Sequence, residues 1–182
     1  MYKDILRKIN FFIYLFIAVF IAILQSTFFS YFPLYYIHPD ITLIVVVYLG
    51  FKRDILSGGI ITIFIALIIE AHSSVAPNFF LTVYLYSFVI TKILSRILVL
   101  PDILSSICVV AALTFLKQTG LLVLLELYGK AENGIKHVLI YLFPAIVVQV
   151  LLTFVIFPWL RKIDLKTFKD EHAEDEYDIH RE

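Results

Sequence analysis

Six runs of apolar residues, separated by short polar breaks, extend along almost the whole chain. A membrane-crossing helix requires about 20 mostly apolar residues, because each residue adds about 1.5 Å and the hydrocarbon layer is about 30 Å thick. The runs therefore predict an all-α polytopic membrane bundle of about six transmembrane helices. The predicted helices cover residues 9–31, 40–51, 55–71, 78–94, 102–128 and 136–160.

The breaks between these runs contain residues that favour helix starts. Prolines lie beside the predicted starts, where a missing amide hydrogen costs least. Asp40, Asn78 and Asp102 each follow a proline and can accept hydrogen bonds from first-turn amides. The second predicted helix is the shortest. It either begins near Leu34 and bends at Pro39, or it is a half-span buried against its neighbours.

Lys and Arg are distributed unequally between alternate loops. The N-terminal flank, the helix 2–3 turn, the helix 4–5 segment and the tail hold 12 of the 15, and the other loops hold two. Cytoplasmic loops carry the excess of basic residues, so both termini are predicted to be cytoplasmic. Residues 1–162 are predicted to form the transmembrane domain, and residues 163–182 a polar, acidic cytoplasmic tail.

The composition fits a membrane domain and excludes several functions. Hydrophobic residues make up 61% of the chain and charged residues 16%, whereas soluble domains are about half apolar and a quarter charged. The net charge of zero argues against a nucleic-acid partner, because phosphate binding requires a basic excess. Cys108 lies in an apolar run and is expected to be structural. No catalytic, phosphate-binding or metal-binding motif is present, so we expect no enzymatic activity, cofactor or metal site.

Lys117 and Gln118, near the middle of the fifth predicted helix, are the most unusual polar residues. A lysine in hydrocarbon must face the protein interior, a wet cavity or a partner. Alternatively, the helix breaks near Gly120 and places Lys117 closer to an interface. A packing role is favoured, and a proton or solute path is the alternative.

Four other residues in the helices are candidates for contacts with a partner. Gln25 ends the first helix, where it makes interhelical hydrogen bonds or offers a docking surface. Glu70, at the outer end of the third helix, is either wetted by headgroup water or part of a patch that recognises a partner. Ala18 and Ala22 form a small-xxx-small pair that lets helices approach closely, and ordinary packing within the bundle is the alternative.

The order of these features resembles the bacterial rod shape-determining protein MreD family, best between Leu24 and Leu94. The motifs that carry the resemblance are Leu24-Gln25-Ser26-Thr27, Pro39-Asp40, Tyr48-Leu49-Gly50, Lys52-Arg53, Gly58-Gly59 and the acid Glu70. The family usually has Asp at the position of Glu70. The second half of the chain is similar only in hydropathy.

The resemblance implies a bacterial inner-membrane protein whose fold is similar to the solute-binding component of energy-coupling-factor transporters. It implies a non-enzymatic scaffold or regulator of cell-wall elongation that contacts an MreC-like bitopic membrane protein. Peptidoglycan synthases and an MreB-like cytoskeleton would be indirect partners. The expected partner contacts are Ala18, Ala22, Gln25, Asp40 and Glu70. Lys52 and Arg53 are expected to be anchors at the anionic inner leaflet.

Two other functions compete with the scaffold. The first is a substrate-binding component of an energy-coupling-factor vitamin transporter, whose first helix has an Ala-xxx-Ala motif like Ala18 and Ala22. An obvious cluster of polar ligand-binding residues in helices 4 to 6 is lacking, which counts against it. The second is an intramembrane enzyme or proton-coupled carrier built around Lys117.

Overall fold

A computed structural model describes residues 2–28, 39–73, 75–97, 103–127 and 131–167. This part of the chain consists of six helices and contains no strand. The helices are α1 (Tyr2–Phe28), α2 (Ile41–Lys52), α3 (Ile55–Ala71), α4 (Phe79–Ile97), α5 (Ile103–Leu127) and α6 (Ala131–Thr167). The prediction of an all-helical chain with six helices is therefore confirmed for these residues.

Four of the helices, α1, α4, α5 and α6, contain segments long and apolar enough to cross a membrane. α3 has the predicted bounds, but α1 and α6 extend several residues beyond their apolar runs into polar flanks. An apolar run marks the part of a helix that suits lipid, whereas the backbone hydrogen bonds continue wherever the flanking residues favour helix. The predicted end of helix 1 and a start of helix 2 near Leu34 lie outside the described residues.

α2 is the central helix of the bundle. It packs against all five other helices, and every residue from Thr42 to Phe51 is buried. Its 12 residues correspond to about 18 Å, which is well short of the hydrocarbon thickness. α2 thus has the length and burial of the half-span that was one of the two alternatives for this segment.

Close contact between α2 and α4 depends on a glycine. A Cβ atom built on Gly50 would lie 2.7 Å from Cβ of Thr91 and 3.3 Å from the carbonyl oxygen of Phe88. Gly58, at the start of α3, similarly faces the ring of Phe88, 2.7 Å from the position of a Cβ. Because glycine has a hydrogen atom in place of Cβ, α2 and α3 can lie this close to α4 at Gly50 and Gly58.

Successive helices run in opposite directions, and the contacts of α2 define two ends of the bundle. α1 passes from Asn10, which contacts Asp164 beside Arg53, to Gln25, which contacts Asp40. α6 runs the other way, from the Asp40 end to Asp164 at the Arg53 end. The beginning of α1 and the end of α6 therefore lie at the same end of the bundle.

Between their ends, the described helices expose mostly apolar side chains. On α1, Phe12, Phe16 and Phe20 are 54–71% exposed and repeat every four residues along one face. The opposite face of α1 carries the buried residues Asn10, Tyr14, Ala18 and Ala22. This distribution, with polar groups inside and large apolar groups outside, is the one expected of a helix bundle that lies in lipid.

Candidate functional site

A buried carboxylate, Asp40, lies at the start of α2 and is only 3% exposed. Lys117 Nζ donates to Asp40 Oδ2 at 2.5 Å, and the hydroxyl of Tyr84 donates to both carboxylate oxygens at 3.0 Å. Gln25 Nε2 donates to Oδ1 at 3.2 Å. We call the group formed by Gln25, Asp40, Thr42, Tyr84, Lys117 and Gln149 the Asp40 cluster.

The Asp40 cluster also satisfies the backbone where α2 begins. Gln149 accepts a hydrogen bond from the Asp40 amide at 2.9 Å and donates to the Asp40 carbonyl at 2.6 Å. The Asp40 side chain accepts from the Leu43 amide, and Gln25 Oε1 accepts from the amide and hydroxyl of Thr42. The first amides of a helix have no intrahelical acceptor, so a helix that starts inside an apolar bundle requires such partners.

The cluster lies inside the four candidate membrane spans. Gln25, Tyr84, Lys117 and Gln149 each fall within the apolar segment of a different helix, α1, α4, α5 and α6 respectively. An isolated charge in such surroundings is costly. The pairing of Lys117 with Asp40 compensates both charges, and the surrounding hydrogen bonds occupy the remaining lone pairs of the carboxylate.

The structure distinguishes between the alternatives proposed for Lys117. α5 is continuous from Ile103 to Leu127, so the alternative of a helix break near Gly120 is wrong. Lys117 is 8% exposed and faces the protein interior. Its acceptor, Asp40, is 77 residues away in sequence.

A second polar group, the Arg53 cluster, lies at the other end of α2. Arg53 forms an ion pair with Asp164 of α6, and Tyr48 donates to the same carboxylate at 2.5 Å. The guanidinium lies over the ring of Tyr14, 4.4 Å from its centroid, and the Tyr14 hydroxyl donates to the Leu160 carbonyl at 2.8 Å. Both ends of α2 are thus tied to α6.

Three of the five predicted partner contacts are buried in this chain. Ala18 and Ala22 are at most 1% exposed and pack in the core. Asp40 is enclosed by the other members of the Asp40 cluster. Their side chains have no surface to present to a partner, so these three residues pack within the bundle instead.

Gln25 and Glu70 are half-buried and each has a clear internal contact. Gln25 belongs to the Asp40 cluster. Glu70 accepts hydrogen bonds from the amides of Phe80 at 2.9 Å and Leu81 at 3.3 Å, in the first turn of α4. A carboxylate stabilises a helix N-terminus through these open amides.

The two predicted inner-leaflet anchors differ. Lys52 is exposed, whereas the Arg53 side chain is 13% exposed and its charge is engaged by Asp164. Arg53 is therefore an internal ion-pair partner and not a lipid anchor. α6 continues past residue 163, where the polar tail was predicted to begin, and ends at Thr167. Asp164 in this last segment contacts Arg53.

The prediction missed Tyr84, Gln149 and Asp164. Gln149 is an isolated amide within a long apolar run. It could have been identified from the sequence, because a polar group in lipid is costly and requires a partner. Tyr84 offered less signal, because tyrosines are common in this chain. Tyr84, Lys117 and Gln149 lie on α4, α5 and α6 respectively, and all three meet in the Asp40 cluster, where they bind groups of this chain.

The Asp40 cluster holds the start of α2 in place through an ion pair and hydrogen bonds within the chain. The carboxylate accepts hydrogen bonds from Lys117, Tyr84, Gln25 and the Leu43 amide, so its oxygens are occupied by groups of the same chain. Among the described residues, no group of three or more His, Cys, Asp or Glu side chains is arranged to hold a metal ion. The arrangement fixes α2 relative to α1, α4, α5 and α6.

Replacing Gln149 by methionine tests the role of its amide. The variant leaves the Asp40 amide without its acceptor and removes one donor to the Asp40 carbonyl. We expect a loss of about 1–3 kcal/mol for the unpaired amide. The free energy of unfolding in bicelles, measured by steric trapping, provides the value. Gln118→Met, which changes a half-buried amide on α5, is the matched control and is expected to cost much less. Equal losses in both variants would contradict the role given to Gln149.

No family model, curated protein or solved structure matches this chain.

Proposed function

We propose that this protein is a non-enzymatic membrane scaffold of the cell-wall elongation machinery in a bacterial inner membrane. The proposal rests on the MreD-like motifs between Leu24 and Leu94. In this role the protein maintains rod shape by contacting an MreC-like bitopic protein. Peptidoglycan synthases and an MreB-like cytoskeleton are affected through that contact.

The observation that best supports a scaffold is the internal pairing of the Asp40 cluster. The buried polar groups bind one another, and the exposed surface of the helices consists largely of apolar side chains. A protein built in this way interacts with membrane partners through helix surfaces. The exposed phenylalanine face of α1, with Phe12, Phe16 and Phe20, is the surface we propose for a partner helix.

The proposed orientation places the Arg53 end of the bundle in the cytoplasm. The beginning of α1 and the end of α6 share this end, and the basic residues of the sequence are concentrated in the flanks and loops predicted to lie there. Cytoplasmic segments carry the excess of Lys and Arg. Both termini are then cytoplasmic.

Depletion of the protein in its native cell tests the proposed function. We expect rod-shaped cells to become round while the protein is depleted, because the elongation machinery loses its membrane scaffold. Phase-contrast microscopy measures the ratio of cell length to width, and re-expression of the wild-type protein restores it as a control. Cells that keep their rod shape but require an added vitamin would contradict the scaffold.

A substrate-binding transport component is the second candidate, and one observation favours it. A short helix begins inside the bundle, and the residue at its start, Asp40, forms a buried ion pair with Lys117 of α5. Many transporters bind substrates at helix ends that lie inside the bundle in this way. Mass spectrometry of the purified protein separates the two functions. A vitamin that copurifies in a one-to-one ratio supports transport, and its absence at high protein recovery supports the scaffold.

A further inference from the structure

Exposed cationic side chains are concentrated at the Arg53 end of the bundle. Among the described residues this group, which we call the basic collar, consists of Lys52, Arg96, Arg161, Lys162 and Lys166. α2, α4 and α6 all end here, and the contacts of Arg53 hold their last turns together. Lys92 of α4 donates to the Arg53 carbonyl at 2.6 Å, and Asp164 of α6 pairs with its guanidinium.

Exposed basic side chains outnumber exposed carboxylates at this end of the bundle, among the residues whose side chains the structure describes. Asp164 is engaged by Arg53, which leaves Asp54 as the exposed carboxylate near the end of α2. At the opposite end of the bundle, the exposed charged groups of the described residues include Glu126 and Lys136, which offset each other. The side chains that the structure describes at the Arg53 end thus include more exposed basic groups than exposed carboxylates.

An aromatic residue marks the membrane boundary beside the collar. Trp159 is 47% exposed and lies two residues before Arg161, the first collar residue of α6. Tryptophan favours the level of the lipid headgroups. Tyr141 lies about 27 Å earlier on the same helix, close to the hydrocarbon thickness of about 30 Å. This places the collar at the phosphate layer of one leaflet.

We propose that the basic collar binds the headgroups of anionic phospholipids in the leaflet at the Arg53 end. The charge of the collar complements the lipid phosphate, and its position beyond Trp159 brings the cations to the depth of that phosphate. The inference goes beyond the scaffold function, because it requires no protein partner. Each basic residue near an anionic surface contributes about a fivefold gain in affinity.

The test compares lipid binding by the full-length protein and a matched pair of variants. Native mass spectrometry in detergent measures the binding of phosphatidylglycerol and of phosphatidylcholine. We expect the wild-type protein to prefer phosphatidylglycerol, and the triple variant Lys52→Gln/Arg96→Gln/Lys162→Gln to bind it about 100-fold more weakly. Lys136→Gln, at the opposite end, is expected to leave binding unchanged.

Two further measurements make the test decisive. The preference of the wild-type protein for phosphatidylglycerol is expected to fall in high salt, which screens exposed charges, even if the triple variant does not fold. Inorganic phosphate at the same concentration is expected not to displace the lipid, because it has no acyl chains to contact the apolar surface of the helices. Equal binding of the two lipids by the wild-type protein, or an equal loss in Lys136→Gln, would overturn the proposal.

Discussion

Replacing Lys117 by methionine is expected to destabilise the bundle by about 3–5 kcal/mol, because it leaves the carboxylate of Asp40 buried without its counter-charge. Asp40 is 3% exposed and lies inside the candidate spans, so water is not available to compensate it. The free energy of unfolding in bicelles measures the effect. The expected loss is large because the group left unpaired is a full charge and not a neutral polar group.

The double variant Asp40→Asn/Lys117→Met provides the control. Asparagine retains a side-chain oxygen that accepts from the Leu43 amide at the helix start, while the charge is removed. Replacing both members of a buried ion pair is often neutral or stabilising. We therefore expect the double variant to be more stable than Lys117→Met alone. A double variant as unstable as the single variant would show that the charge of Asp40 is not the cause.

Replacing Gly50 by alanine is expected to destabilise the bundle by about 1–3 kcal/mol, the usual cost of overpacking a filled core. The added methyl group would lie 2.7 Å from Thr91 Cβ, and the nearby Phe88 carbonyl belongs to the backbone of α4. α2 and α4 must therefore move apart to admit it. Thermal unfolding of the detergent-solubilised protein measures the loss.

Gly59→Ala is the matched control for this substitution. Gly59 also lies within a helix, but a Cβ there would be 3.8 Å from the ring of Phe88, which is an ordinary contact. Alanine favours helix over glycine by about 1 kcal/mol, so the Gly59 variant is expected to be neutral or slightly more stable. A similar loss in both variants would mean that close approach at Gly50 is not the cause.

The helices were predictable because each apolar run has its own local pattern. The bounds of α3, residues 55–71, follow from the basic turn before it and the polar residues after it. The ends of α1 and α6 were not predictable from hydropathy, because helix continues into polar flanks without any loss of backbone hydrogen bonds. Burial of α2 on all sides was suggested only by its short, uniformly apolar sequence.

The candidate site was predictable in part. Lys117 is conspicuous in an apolar run, and its need for a partner follows from the cost of a charge in lipid. The identity of that partner does not follow, because no periodicity relates Lys117 to a residue 77 positions away. Asp40, which follows a proline, has the local sequence of an exposed helix cap, and only the packing of four other helices around it shows that it is buried.

The Asp40 and Arg53 clusters fix α2 along the axis of the bundle, and this limits how the bundle adapts to bilayers of different thickness. A slip of α5 or α6 past α2 by a single turn, about 5.4 Å, would separate Asp40 from Lys117 or Arg53 from Asp164. Sliding of the helices therefore cannot relieve hydrophobic mismatch. A thinner or thicker membrane must be accommodated by tilting of the whole bundle or by deformation of the surrounding lipid.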